Sequence, residues 1–538
     1  CIRDRSSCYS FWMESLMIKK FYILFKIARK LALSDAIKII SKIHKPPLMI
    51  KILVSIFSIK LSQDDYNLKN LSDEEKLCKS IEGMGTTFIK LGQFLATRPD
   101  IISEKLSKQL EKLQDRVPPF SSIDAKNILK DELGDDMYKL ILNLSEPIAA
   151  ASIAQVHKAQ INENGTIKDI AIKILRPDIK KKFNEEIDAL MLLAYIIQSI
   201  SSKTKRLRLM EVVFLLKEIT NHEMDLRFEA AAANEFAENT KNDVGFYVPK
   251  IYWNFTSEKV LTLDWIEGFS IREKDILIEK GINVKNIATD IIQHFLRHAV
   301  RDGFFHADMH QGNLLIDSSG QIITIDFGIM GRLDKLNRKF LAEILYGFIM
   351  RDYKKVANVH IVAGLVPKDV NVDELAQALR SIGEPIFGQS VKDISGGKLL
   401  KQLFDITEKF NMQTQPQLLL LQKTMVVVEG VARKLNPDTN IWETSKPVLE
   451  KWLKETKDPI SNLTETLKDS TEVLKRLPEL PQIMDKANQA LTFLASGQIP
   501  QNSNSYSALK DKEMEMKSFR NQSIIGLLLL VFFGYLVF

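Results

Sequence analysis

Cysteine is scarce in this chain of 538 residues, occurring only at Cys1, Cys8 and Cys78. Three thiols cannot build a disulfide framework and their spacing is not that of a zinc site, so a reducing compartment is expected and no structural metal is implied. A strong charge of either sign is also missing: 74 Lys and Arg stand against 68 Asp and Glu. That mild basic excess suits an anionic membrane surface and does not suggest nucleic acid, so no nucleic-acid partner is expected. The unbroken apolar core of a signal peptide is lacking, because Lys26, Arg29 and Lys30 interrupt the run from Phe21 to Leu31. Met17, followed by Ile18-Lys19-Lys20, reads as a more natural start than Cys1, and residues 1–16 are given no weight. What is plentiful is apolar: 45% hydrophobic residues in a chain long enough for two to four domains imply a large buried core.

The pattern changes several times along the chain. Residues 1–72 are basic and amphipathic; within them 17–62 mix apolar and aromatic residues with regularly placed Lys, as in a helix lying on a membrane or packing on the protein itself. In 73–145 helical spacing puts Ile81, Met84, Phe88, Leu91 and Leu95 on one face and Leu106, Leu110 and Leu113 on the next, until Pro118-Pro119. Segment 146–267 opens with a hairpin, Gln155 to Ile161 and Ile170 to Ile174 around a turn at Asn162-Glu163-Asn164-Gly165. Helices over about Lys180–Ile200 and Leu209–Thr240 follow, then strands over Val248–Phe255 and Val260–Ile266. Segment 268–400 carries a helix over Asn283–Arg301 stopped at Gly303, strands Leu314–Ile316 and Ile322–Ile325, and helical text from Asp334. A helical region (401–495), a linker (496–522) and a candidate transmembrane segment (523–538) complete the sequence. Ile524–Phe538 is uncharged behind Lys510, Lys512, Lys517 and Arg520. At roughly 22 Å it is shorter than the ~30 Å hydrocarbon core, so it reads as a tail anchor, half of a hairpin or a buried terminal helix. If it inserts, the basic flank keeps the main body cytoplasmic.

The chemistry concentrates in Phe305-His306-Ala307-Asp308-Met309-His310-Gln311-Gly312-Asn313, with Asp326-Phe327-Gly328 at the end of the next apolar strand. Phosphoryl transfer needs a carboxylate to orient or accept the nucleophile's proton, and oxygen ligands to hold magnesium against the phosphates. In the kinase pattern Asp308 is the base, while Asn313 and Asp326 are the metal ligands. Lys173, in the alternating Ala171-Ile172-Lys173, stands where a kinase places its phosphate-binding lysine, and Glu229 is the candidate partner that fixes it. At the place of a glycine-rich phosphate loop stands Ile148-Ala149-Ala150-Ala151-Ser152-Ile153-Ala154-Gln155-Val156. Each alanine Cβ restricts the positive φ and close approach that glycine allows, so nucleotide should bind in an altered pose or with altered preference. Gly92 within Lys90-Leu91-Gly92-Gln93 costs its helix about 1 kcal/mol and hints at close packing or function. Glu223 and Asp225 are expected to pair with Lys90, to approach the metal, or to form a solvated helix face. No Ala-Pro-Glu and no long activation segment follow Gly328, so an ordinary peptide-binding platform is missing.

Together these residues resemble the UbiB family of atypical kinases, also called ABC1 or ADCK. The resemblance covers about residues 75–335 and rests on Lys90-x-Gly92-Gln93, the alanine-rich loop, Glu223-x-Asp225, His306-x-Asp308 and Asp326-Phe327-Gly328, all in family order. It implies that the Lys-x-Gly-Gln helix folds over the site with its lysine near the Glu-x-Asp carboxylates, that ATP (or ADP) with Mg2+ is the cofactor, and that the protein supports ubiquinone biosynthesis as a kinase-like or ATPase-like regulator. It further implies a bacterial inner-membrane location, with membrane lipid, quinone precursors and proteins of ubiquinone biosynthesis as partners; the sequence does not give the oligomeric state, and a homodimer is one assembly left open. Bacterial members usually end in two membrane segments and this chain shows one short one, which puts the anchor topology in question.

The expected architecture is therefore α+β: an atypical bilobal protein-kinase-like core (146–267 and 268–400), an N-terminal helical extension, a C-terminal helical region and a membrane anchor. Two other readings compete. His306-Ala307-Asp308 with His310 and Asn313 also resembles aminoglycoside phosphotransferases, which lack the Lys90–Gln93 helix. A nucleotide-gated, non-catalytic scaffold of a lipid-biosynthetic complex is the other.

Overall fold

In the computed structural model the residues described are 72–96, 104–110, 113, 118–163, 165–200, 209–367, 369–388 and 416–456, with isolated positions 22, 23, 26, 406, 409, 410 and 412. Helix α1 (Asp73–Met84) starts on a reciprocal cap: the Ser72 hydroxyl accepts from the Glu75 N–H, and the Glu75 carboxylate accepts the Ser72 N–H at 2.8 Å. Helices α2 (Thr86–Ala96) and α3 (Glu104–Leu110) fold onto α1 around Leu77, Cys78, Ala96, Leu106, Leu110 and Leu113.

Close packing accounts for Gly92, because a Cβ there would run into Leu113 Cδ1 and come within 3.2 Å of Ile81 Cγ2. Gly92→Ala gains roughly 1 kcal/mol of helix propensity, but overpacking typically costs about 1–3 kcal/mol. The expected outcome is a lower melting temperature for the full chain. A higher one would mean that the three helices part to admit a methyl group.

Helix α4 (Ser122–Tyr138), capped by Ser121, lies against the outer face of a five-stranded antiparallel sheet. Its first four strands are β1 (Ile141–Leu142), β2 (Pro147–Ala150), β3 (Ala154–Glu163) and β4 (Thr166–Leu175). Period-two alternation decides the faces of β4. Ile170, Ile172 and Ile174 bury against Ala125 and Leu129 of α4, while Ala171, Lys173 and Leu175 face the other way, toward the main core.

Helices α5 (Ile179–Ile200), α6 (Leu209–Glu223) and α7 (Leu226–Thr240) follow. The single helix expected over 209–240 is thus two. Asp225 takes an extended conformation and accepts the Arg227 N–H at 3.1 Å, which caps a new helix, a role that short acidic side chains favour. The strand expected over Val248–Phe255 is also corrected. Pairing is confined to β5 (Phe246–Tyr247) and an isolated bridge at Ile251, and Trp253–Phe255 is a 3-10 turn. Pro249 offers no N–H to a ladder, and Tyr252 and Phe255 are used instead as plugs for the core beneath α4. Strand β6 (Val260–Asp264) completes the sheet in the order β1-β3-β4-β6, with β2 on β3.

Beyond β6 come β7 (Phe269–Ser270), α8 (Lys274–Glu279) and α9 (Val284–Arg297), which widens into a π-type turn over His298–Asp302. Four short strands follow: β8 (Phe304–His306), β9 (Leu314–Ile316), β10 (Ile322–Thr324) and β11 (Met330–Arg332). Of these, β9 and β10 join β5 and β7 in a sheet of order β5-β10-β9-β7, and β8 and β11 form a separate pair. The pairing of β11 with β8, unforeseen in the sequence, clamps both ends of the loops that carry the two aspartates.

Helices α10 (Lys335–Ile349), α11 (Tyr353–Val362), α12 (Val372–Gly388), α13 (Pro416–Leu435) and α14 (Ile441–Thr456) finish the described chain. Leu421, Val428 and Leu449 of α13 and α14 join the core around α9, while Tyr353, Val356, Leu375 and Leu379 of α11 and α12 build a second one. The candidate transmembrane segment, the linker before it and nearly all of residues 1–71 lie outside the described residues. Among the described residues no helix is long and apolar enough to cross a membrane.

Candidate active site

The antiparallel register places Ala149, Val156, Lys173 and Leu261 as successive cross-strand neighbours on β2, β3, β4 and β6, hence on one face. Lys173 Nζ donates to both carboxylate oxygens of Glu229, at 2.8 and 2.9 Å, and stands 3.5 Å from Asp326 Oδ2. Glu229 lies in the first turn of α7 and is itself buried. Strand, helix and loop therefore meet at one ammonium.

Burial opposes the charge on Lys173, but the Asp326 and Glu229 carboxylates outweigh it and hold the ammonium above the ordinary lysine range. The enclosing cleft walls would raise Asp326, although its carboxylate still meets solvent on one side, yet Lys173, the Gly328 N–H and His306 carry it the other way, to about 2. For Glu229 burial wins, and its carboxyl is pushed up against the pull of Lys173.

His306 joins the two aspartate loops. Its buried ring accepts the Asp308 N–H at Nδ1 (3.1 Å), which leaves Nε2–H to donate to the backbone carbonyl of Asp326. The motif alone assigns this histidine no role; its fixed distance of two residues from Asp308 is the signal that could have found it. Asn313 donates Nδ2 to the Asp308 carbonyl at 3.0 Å, and its own carbonyl accepts the Ile325 N–H at 3.2 Å, so the loop after Asp308 is stitched to the strand leading to Asp326.

These residues fit a magnesium ion. With Nδ2 committed to the Asp308 carbonyl, Asn313 Oδ1 accepts no hydrogen bond from the described residues. Asp326 is anionic and nearly half exposed. An amide oxygen and a carboxylate of this kind are the hard ligands that Mg2+ selects, with water completing the shell.

The other expected site residues divide. Lys90 reaches Glu223 at 2.9 Å, both largely buried, whereas Asp225 is occupied by capping α7 and by a two-pronged pair with Arg227. Gln93 Nε2 reaches back to the Leu113 carbonyl, 3.4 Å away. In the alanine-rich stretch Ile148 and Ala149 are exposed and Ala150 and Ala151 half-buried, while Ser152, Ile153, Ala154 and Gln155 are buried. The Gln155 side chain is a structural clamp rather than a cleft group, accepting the Phe120 N–H at 2.9 Å and meeting His157 at 2.9 Å. Thr86 on α2 donates to the Ser152 carbonyl, and Arg176 donates twice to that of Ala151, so the loop is pinned from two sides.

Comparison with known proteins gives two family matches: the ABC1 atypical kinase-like domain over residues 112–360 and the UbiB helical domain over residues 379–440. The chain is 37% identical over 466 residues to the "Probable protein kinase UbiB" of Marinobacter nauticus, covering 85% of this chain and 84% of that protein. Proteins of the same name from Azotobacter vinelandii and Vibrio cholerae are 38% and 35% identical, covering 76% of both chains in the first case and 88% and 86% in the second. Among solved structures, the complex of Rv3197 with erythromycin from Mycobacterium tuberculosis has a TM-score of 0.49 at 23% identity, over 66% of this chain and 90% of that one.

Proposed function

The chain belongs to the UbiB family of ABC1 atypical kinase-like proteins, and from that membership we propose that it binds the magnesium complex of ATP or ADP and turns it over in support of ubiquinone biosynthesis at the membrane. The observation that carries the reading is the convergence of Lys173, Glu229 and Asp326 beside the loop of Asp308 and Asn313.

Each residue has a task. Lys173 presents a permanently charged ammonium to the α- and β-phosphates, aimed by Glu229. Asp326 and Asn313 hold the metal through oxygen, and Asp308 orients the attacking hydroxyl or water and accepts its proton. The bound Mg2+ supplies charge neutralisation to the phosphate oxygens. Lys90, Gly92 and Gln93 on α2, with Glu223 as the partner of Lys90 and Asp225 fixing the start of α7 beside it, regulate access: the Lys90–Glu223 pair ties α2 to α6 and the Thr86–Ser152 hydrogen bond ties it to the nucleotide loop.

The name shared by the relatives supports the ubiquinone role. In this reading the body is cytoplasmic at a bacterial inner membrane, anchored through the C-terminal segment, with membrane lipid, quinone precursors and other biosynthetic proteins as its partners.

Quinone-lipid analysis of a deletion strain complemented with either wild type or Asp326→Ala tests this. Wild type is expected to restore ubiquinone and the variant to leave it deficient. Full rescue by Asp326→Ala would favour the non-catalytic scaffold, and normal quinone in the deletion strain would detach the protein from the pathway.

A further inference from the structure

Two residues beyond Asp308 the loop carries a second histidine, His310, to which the reading above gives no part. Its Nδ1 accepts the Gly312 N–H at 2.9 Å. A nitrogen used as an acceptor carries no proton, so the ring is the Nε2–H tautomer. Nε2 faces the Asp308 carboxylate, 3.6 Å from Oδ2. The Asn313 Nδ2 stands 3.5 Å from that same oxygen, and among the described residues nothing donates to Oδ1. Two N–H groups thus address one oxygen of the proposed base and leave the other open.

We propose that His310 is a positioning residue: its Nε2–H, together with Asn313, locks Oδ2 of Asp308 so that Oδ1 is presented to the hydroxyl or water being deprotonated. A separation of 3.6 Å is too long for a hydrogen bond, but catalytic hydrogen bonds are often long before substrate is bound and tighten in the complex. The ring has little other employment. It is about half exposed, outside the hydrophobic cores, and among the described residues its only hydrogen bond is to the loop that carries it.

Gly312 makes the placement sterically possible. A Cβ there would sit 2.8 Å from His310 Cε1 and 2.9 Å from Arg272 NH2, so any side chain at 312 must displace the imidazole or the guanidinium. The inference rests on the assignment of Asp308 as base, and its test separates the two.

The test compares wild type with Asp308→Asn, His310→Ala and His310→Gln as full-length proteins, measuring Mg-ATP turnover, Mg-ADP affinity and melting temperature. Misplacing a reacting group by about 1 Å costs on the order of 100-fold. His310→Ala is therefore expected to lower kcat by roughly 10- to 100-fold while Mg-ADP affinity and melting temperature stay at wild-type values. In His310→Gln the amide Nε2–H replaces the ring N–H, and kcat is expected to return to within about threefold of wild type.

Wild-type kcat in His310→Ala beside an inactive Asp308→Asn overturns the positioning role and leaves the base assignment standing. Equal loss in the Ala and Gln variants also overturns it, because a donor at that place then has no effect. Full turnover in Asp308→Asn removes the base itself, and the inference with it.

Discussion

Lys173→Ala is expected to lower nucleotide turnover by about 10²- to 10³-fold, the loss seen when one preorganised donor that stabilises transition-state charge is removed from an enzyme site. Glu229→Gln should cost nearly as much although it touches no phosphate. Its two oxygens hold Nζ at 2.8 and 2.9 Å, while the Asp326 carboxylate waits at 3.5 Å. Without the Glu229 charge, the ammonium is expected to collapse onto Asp326, so that the proposed phosphate clamp and the proposed metal ligand neutralise each other. The double variant Lys173→Ala/Glu229→Gln should consequently be no worse than either single one, because residues that act as a unit are non-additive. Steady-state phosphate release from the three variants checks this. Full turnover in Glu229→Gln alone would show that the lysine is not aimed by its ion pair. Lys173 and the Gly328 N–H hold the Asp326 carboxyl down to about 2, so its protonation is not expected to shape the pH profile of turnover above about 4.

That cluster was legible in the sequence because each part sits on a short element with a strict period or a fixed spacing. Alternation in β4 sends Lys173 to the face opposite Ile172 and Ile174, and the motif spacing puts Asn313 back on the Asp308 carbonyl. Glu229 was reachable because a charged residue so placed requires a counter-charge. The links between elements were not legible. Nothing local says that Phe304–His306 pairs with Met330–Arg332, or that Gln155 turns inward to hold Phe120. Tertiary context also overrode strand propensity at 248–255, where the aromatic residues gain more as core plugs than as ladder members. Gly92 had two readings until the position of Leu113 was known, and a contact between residues 21 apart in sequence leaves no period to read.

The largest loss of stability is expected at a residue that belongs to no motif. Asp243, buried where the chain leaves α7, accepts from Arg301 NH1 at 2.6 Å, from Arg301 NH2 at 3.0 Å and from His298 Nε2 at 3.0 Å. With His294 it also forms a triad whose ligand atoms lie within 4.8 Å of one another, the spacing of a metal site. A cation is nevertheless disfavoured there. Both carboxylate oxygens are already taken, and the Arg297 guanidinium, 4.0 Å from Asp243, bonds His294 Nδ1 at 3.1 Å. Burial and the neighbouring His298 depress His294 to about 3, so its ring is neutral beside two guanidinium groups. The triad is therefore read as a latch between α7 and the π-type turn that leads into β8.

Removing one partner from a buried charged pair costs about 3–5 kcal/mol. Arg301 is itself about one-third exposed and keeps Asp302 at 2.6 Å, so screening and the second partner place Asp243→Ala below that range, at about 2 kcal/mol. Burial pulls the Asp243 carboxyl upward, but His298 and Arg301 hold it well below the usual carboxylate range. A depressed folded-state pKa contributes stability above the unfolded value of about 3.9 and loses it as pH falls below. The gap in urea midpoint between wild type and Asp243→Ala should accordingly be widest near neutrality and shrink on acidification through about pH 4. EDTA should leave both proteins unmoved. A gap that is constant with pH would mean that Asp243 contributes by packing rather than by charge, and a chelator-sensitive melting temperature in wild type alone would restore the metal reading.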